Sequence, residues 1–171
     1  MKKEEKEIKE FLLESNAIEG VHGEEALEDA LRAWNYISDK SFLTPEVILG
    51  AHNFLSKNLD PRIAGFWRTC DVWIGGKRKI FISTQLIEED IKALCNKINQ
   101  SIKDKEKLTK EEGENICKDA HINFEFIHPH EDYNGRVGRL IMNWHRSMLG
   151  LKILIIHTGD EQFDYYKWFK D

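Results

Sequence analysis

Residues 128–139 read His-Pro-His-Glu-Asp-Tyr-Asn-Gly-Arg-Val-Gly-Arg and place a histidine, acids, an Asn-Gly turn and two arginines in one loop and the helical turn after it. The segment ends one helix and begins another. Pro129 disfavours helical dihedrals at His128, so the helix carrying Ile116, Ala120, Phe124 and Ile127 stops there. Downstream, Val137, Leu140, Ile141, Trp144 and Met148 recur at i, i+3, i+4, i+7 and i+11, the spacing of a buried helix that starts close to Gly135. A loop strung between two core helices has rigidly held ends, as a catalytic constellation requires.

The same 3.6-residue period extends in both directions. Ile8, Phe11, Leu12 and Ser15 share a face of a first helix running toward Glu19-Gly20. Leu27, Ala30, Leu31, Trp34 and Ile37 form the stripe of a second. Thr44-Pro45, an N-cap followed by proline at the first helical position, opens a third that buries Val47, Ile48, Ala51, Phe54 and Leu55, and Asp60-Pro61 closes it. From Asp71 to Ile82 the period falls to two, with Val72 and Ile74 alternating against Trp73, then Gly75-Gly76, then Ile80 and Ile82 against Phe81, which predicts a small hairpin. Ile87, Ile91, Leu94, Cys95, Ile98 and Ile102 restore helical spacing, and the charged run 104–107 reads as a solvated helix end or loop. Leu154 to Phe169 reads as a turn and a closing amphipathic helix. The expected architecture is all-α with a small β-hairpin.

The 171 residues suit a single domain with a real core, residues 1–171. A formal charge of -5 argues against nucleic acid or an anionic membrane as partner, and the basic cluster Lys77-Arg78-Lys79 is too short to reverse that. Three cysteines without C-x-x-C spacing indicate neither a disulfide framework nor a zinc knuckle. The apolar patch at Phe11 to Leu13 is far below signal or transmembrane length, so a cytoplasmic location is expected.

The chemistry of the loop is that of phosphate. Unpaired N–H groups at Gly135 and Arg136, reinforced by the helix dipole, face the loop and suit an anion. Arg136 and Arg139 lie three apart, on a face expected to point away from the core toward that anion, and together they suit a di- or triphosphate. Asp132 can supply the single carboxylate typical of magnesium held between protein and phosphate. His128 can take the proton from a hydroxyl as it attacks phosphorus.

The loop resembles the motif of the Fic family, His-x-Phe-x-Asp/Glu-Gly-Asn-Gly-Arg-x-x-Arg, with His128, Asp132, Asn134, Gly135, Arg136 and Arg139 matching. The likeness extends through residues 124–129 and 137–140, and through Gly65-Phe66-Trp67-Arg68-Thr69 and 71–76. It implies the Fic fold, a helical bundle with a β-hairpin flap over 71–82. It also implies transfer of AMP from ATP, with magnesium, to a hydroxyl of a target protein, releasing pyrophosphate. By resemblance His128 is the base, Asp132 holds magnesium, Asn134, Gly135 and Arg136 line the anion hole, and Arg139 binds the γ-phosphate. The flap, with Trp73, Ile74, Gly75, Gly76, Lys79, Ile80 and Phe81, would pin a target segment by adding a strand to its edge. Self-modification and association of like chains stay open.

Two positions depart from the motif. His130 stands in place of the phenylalanine that packs under the loop, and could pack or compete for metal. Tyr133 replaces the first glycine of Gly-Asn-Gly, where a positive φ would strain it and narrow the pocket. Near the N-terminus, Ser15-Asn16-Ala17-Ile18-Glu19-Gly20 matches the family's inhibitory motif, Ser/Thr-x-x-x-Glu-Gly/Asn. It implies an inhibitory helix over 1–22 in which Glu19 pairs with Arg139 and Ser15 orients the helix. Three other readings remain: another reaction at the same site, such as removal of AMP or transfer of a different nucleotide or phosphate; a metal-dependent hydrolase using His128, His130, Glu131 and Asp132; and a non-catalytic module whose pocket Tyr133 has closed.

Overall fold

The computed structural model describes residues 3–72 and 83–170. Its seven α-helices are α1 (Lys3–Ile18), α2 (Glu24–Ser38), α3 (Pro45–Ser56), α4 (Ile87–Lys103), α5 (Lys110–Ile127), α6 (Asn134–Met148) and α7 (Asp160–Tyr166), and no strand occurs among the described residues. The expected hairpin residues Trp73, Ile74, Gly75, Gly76, Lys79, Ile80 and Phe81 lie outside them.

α6 is the axis of the molecule. It packs against α1, α2, α3, α4 and α5, and every position from Arg136 to Arg146 is buried. One core of Phe11, Leu12, Trp34, Ile37, Ile48, Leu55, Ile91, Phe124, Leu140 and Trp144, among others, joins the first six helices. A smaller cluster of Ile18, Met142, Ile156 and Tyr165 clamps the end of α1 and the C-terminal segment onto α6.

Helix ends follow local chemistry. The Thr44 hydroxyl accepts from Val47 N–H and caps α3. Thr109 and Glu112 form a reciprocal capping box at α5. Gly20 closes α1 in the left-handed region (φ 68°), where a non-glycine residue would be strained, and the return of Val21 N–H to the Asn16 carbonyl sets Glu19 at the turn. α3 ends at Ser56, earlier than Asp60-Pro61, because the Ser56 carbonyl accepts from the N–H groups of both Leu59 and Asp60 in a tight turn.

Two expectations need correction. The buried face of α5 is Gly113, Cys117, His121, Phe124 and Ile127, with Ile116 and Ala120 only half-buried. A glycine and a histidine on that face hid it from hydrophobic periodicity. Arg136 and Arg139 do not point away from the core: they are 7% and 2% exposed, because α6 is covered on all sides and has no solvent face.

Candidate active site

α5 ends at His128, which takes left-handed dihedrals (φ 47°, ψ 61°) and turns the chain into the loop. Buried Arg68 holds this reversal. Its Nε donates to the His128 carbonyl at 2.7 Å, its Nη2 to the Ile127 carbonyl at 3.4 Å, and its backbone N–H to the Pro129 carbonyl at 2.8 Å. A guanidinium thus satisfies carbonyls that a helix end leaves unpaired. His128 Nδ1 donates to the Glu125 carbonyl at 3.2 Å, a tautomer that places the ring's lone pair on Nε2. Burial lowers the pKa of His128, only partly opposed by that hydrogen bond, so the imidazole is neutral near pH 7 and suited to accept a proton.

The loop is braced from inside. Asn134 Oδ1 accepts from His130 N–H at 2.9 Å while its Nδ2 donates to the His130 carbonyl at 2.8 Å, so this amide is engaged in closing the loop. His130 is fully buried. Its ring stacks on His52 at 3.8 Å with planes 1° apart, lies 5.1 Å from the Trp67 ring, and its Nδ1 donates to the Phe66 carbonyl at 2.9 Å. It packs as an aromatic ring would. His52 accepts from Gly65 N–H through Nδ1 and donates from Nε2 to the Asp132 carbonyl at 3.2 Å, so it too supports the loop. The metal cluster considered for His128, His130, Glu131 and Asp132 does not assemble, since His130 is turned inward. Among the described residues no group of three or more His, Cys, Asp or Glu is placed to hold a metal ion.

Tyr133 adopts positive φ (69°), the strained geometry foreseen for a side chain at this glycine position. Its ring is buried, set edge-on to His52, and the Arg136 guanidinium lies over it at 4.1 Å. Asp132 is exposed at the loop surface, and its Oδ1 accepts from Tyr133 N–H at 2.6 Å.

The start of α6 is the candidate anion site. Arg136 is buried, and its Nε has no hydrogen-bond partner. Burial lowers its pKa, countered by Tyr133 and Glu19. An unpaired buried guanidinium N–H is costly, and an anion would satisfy it. Gly135 has no side chain for a visible reason: a Cβ there would collide with a carboxylate oxygen of Glu19. Glu19 thus lies directly over the first turn of α6, where an anion is favoured.

Glu19 also grips the second arginine. Arg139 Nη2 donates to Glu19 Oε1 at 2.7 Å and to the Ser15 carbonyl at 2.9 Å, and its Nε donates to Ser15 Oγ at 2.9 Å. Tyr165 on α7 adds a contact with Arg139 Nη1 at 3.4 Å, and its hydroxyl is 2.8 Å from His121 Nε2. The structure therefore brings His128, Asn134, Gly135, Arg136, Arg139, Ser15 and Glu19 to one end of α6, with Asp132 at the loop's outer edge. A separate cleft of about 550 Å³ at the other end of α6 borders Lys105, Lys110, Arg146 and Lys152. There the Arg146 guanidinium already donates to the Lys152 carbonyl, and Thr109 and Glu112 cap α5.

Sequence reading missed Tyr165, His121, His52 and Glu125. Only Glu125 carried a local signal, an acid three residues before a histidine on a helix and hence on the same face. Tyr165 and His52 arrive from distant elements, and His121, on α5 itself, carried no signal of its own.

Residues 42–145 match the sequence model of the Fic/DOC family. Among solved structures the chain is similar to a Fic-domain-containing signalling protein from Bacteroides thetaiotaomicron, with TM-score 0.79 and 21% identity over 95% of this chain and 70% of that one. It is also similar to Fic-1 from C. elegans (TM-score 0.75, 22% identity, 98% of this chain, 55% of that one) and to a Fic family protein from Desulfovibrio desulfuricans (0.70, 20%, 97% and 55%). At these identities the likeness is one of fold, and the chain spans little more than half the length of the last two. No curated protein matches it.

Proposed function

This chain belongs to the Fic/DOC family, and on that premise we propose that it is a protein adenylyltransferase held in check by its own Glu19. The observation that carries the proposal is the position of that carboxylate, against Gly135 and paired with Arg139 at 2.7 Å, so that an internal anion occupies the cradle suited to nucleotide phosphates.

In the reaction the target's hydroxyl oxygen attacks the α-phosphorus of ATP. Its P–O bond forms as the bond from that phosphorus to the bridging oxygen breaks, pyrophosphate leaves, and the hydroxyl proton passes to His128 Nε2. Arg136, with its unpaired Nε, and the first N–H groups of α6 bind phosphate oxygens. Arg139 takes the γ-phosphate once Glu19 withdraws. Magnesium requires few protein ligands when phosphates supply the rest, and the exposed carboxylate of Asp132 fits that role, where the ion would neutralise phosphate charge. Domain extent, residues 1–171 with the inhibitory helix at 1–22, belongs to the same proposal, as do a flap over 71–82 and a target protein as partner.

Incubation of wild type, Glu19→Gly and His128→Ala with α-labelled ATP and cell lysate tests this. Glu19→Gly should label protein on the order of tenfold more than wild type, and His128→Ala should label none. Equal labelling by wild type and Glu19→Gly would remove the brake from the account. Label arriving from the γ position alone would replace AMP transfer with phosphate transfer.

A further inference from the structure

We infer that Glu125 is a positioning residue for the base: its largely buried carboxylate orients the His128 imidazole and steadies the positive charge the ring acquires when it takes the target's proton. The catalytic consequence rests on the transfer reading above. The placement stands on its own.

Three residues apart on α5, the two side chains share a face, and Glu125 Oε2 lies 3.9 Å from His128 Nδ1. The same nitrogen donates to the Glu125 backbone carbonyl at 3.2 Å. One residue thus presents two oxygens to the protonated side of the ring, away from the nitrogen that would accept the proton. An acid behind a catalytic imidazole fixes its tautomer and stabilises the imidazolium.

The carboxyl is retained against its own stability. Oε1 is buried with no hydrogen-bond partner, an arrangement that packing alone would fill with an apolar side chain. α6 makes room for it: a Cβ on Gly138 would collide with that oxygen and come within 2.9 Å of His121 Cε1 and 3.0 Å of Phe124 Cδ1. The charged and titratable groups around Glu125 are His121 and His128 on α5, Arg139 on α6, Tyr165 on α7 and Glu19 at the end of α1. Burial raises the pKa of Glu125 to about 7, with Arg139 lowering it and Glu19 raising it, so the carboxyl changes charge where the base must work.

The test uses the full chain with Glu19→Gly as parent, carrying Glu125→Gln or, as a second variant of similar volume, Glu125→Met. Nitrogen-15 NMR of labelled histidine follows His128 directly, and kcat and KM for ATP are measured against pH. Loss of the carboxylate should lower the proton affinity of His128 about tenfold, shift the rising limb of kcat to lower pH and reduce its plateau on the order of tenfold, with KM unchanged. A His128 titration identical to the parent's in both variants, with or without a change in rate, overturns the inference. If the parent itself transfers nothing from ATP, the transfer reading fails while the NMR titration still decides whether Glu125 governs the imidazole.

Discussion

Arg139 is a cation in the core, and its surroundings explain why it is tolerated. Burial opposes its charge, but Tyr165 and Glu19 more than offset this and leave its pKa above the ordinary value. Ser15 accepts from it through both hydroxyl and carbonyl. Replacing Ser15 with alanine removes one charge-assisted hydrogen bond, worth about 1.5–3 kcal/mol, and leaves the Glu19 pair in place. The expected outcome is a partial release, with labelling from ATP between that of wild type and Glu19→Gly. Labelling at the wild-type level would show that the serine does not hold the brake. At Tyr133 two effects compete. Glycine there relieves a positive-φ cost of roughly 1–2 kcal/mol, but a buried aromatic side chain contributes roughly 3–5 kcal/mol. Tyr133→Gly should therefore lose about 1–4 kcal/mol in urea unfolding even though it restores the family's glycine. A more stable variant would mean that backbone strain outweighs the ring's packing.

α5 is fixed at both ends by different chemistry, and the two ends should respond differently to mutation. Its N-terminal capping box lies far along the chain from the loop, so Thr109→Ala should cost about 1 kcal/mol of stability and leave transfer unchanged. At the C-terminus, Arg68 holds the carbonyls of Ile127 and His128. Arg68→Ala would leave these acceptors unpaired beside His128, at a cost of about 2–4 kcal/mol, and should lower kcat as well. Measured together, melting curves and labelling rates separate a helix end that supports the fold from one that also sets the site. Loss of transfer in Thr109→Ala would contradict this division.

Across the whole molecule, buried histidines make stability depend on pH. Burial lowers His52 to about 4, His121 to about 3 and His145 to about 4, and places His130 well below its ordinary value. In each case the unfolded chain binds the proton first, at about 6.5, so these groups contribute fully above that pH and progressively less as pH falls through the folded values. Glu125 opposes them. Raised to about 7 from an unfolded value near 4.5, it holds its proton more tightly when folded, and its contribution is lost as pH rises through 7. Between pH 6.5 and 5.5 each of the four histidines loses about 1 kcal/mol, because the unfolded ring is only half protonated at 6.5, and Glu125 returns about 1, for a net loss of roughly 3 kcal/mol. Urea unfolding at the two pH values checks this, and equal stability would mean that the buried rings are protonated in the fold.

The helices, the cap of α3 and the residues of the site loop were legible in the sequence because each is a local property. Apolar spacing marks a buried face, Thr44-Pro45 marks a helix start, and the ordered run from His128 to Arg139 carries its chemistry within one loop. The 71–82 alternation falls mostly outside the described residues. What only the tertiary structure decided lies between elements. Glu19 meets Arg139 across 120 positions and Tyr165 meets it across 26, while His130 acts as packing because His52 of another helix lies 3.8 Å from its ring. Periodicity told which face of α6 is apolar but not that the opposite face is covered too. That depends on how many neighbours surround a helix, a property of packing in three dimensions that no spacing along one chain encodes.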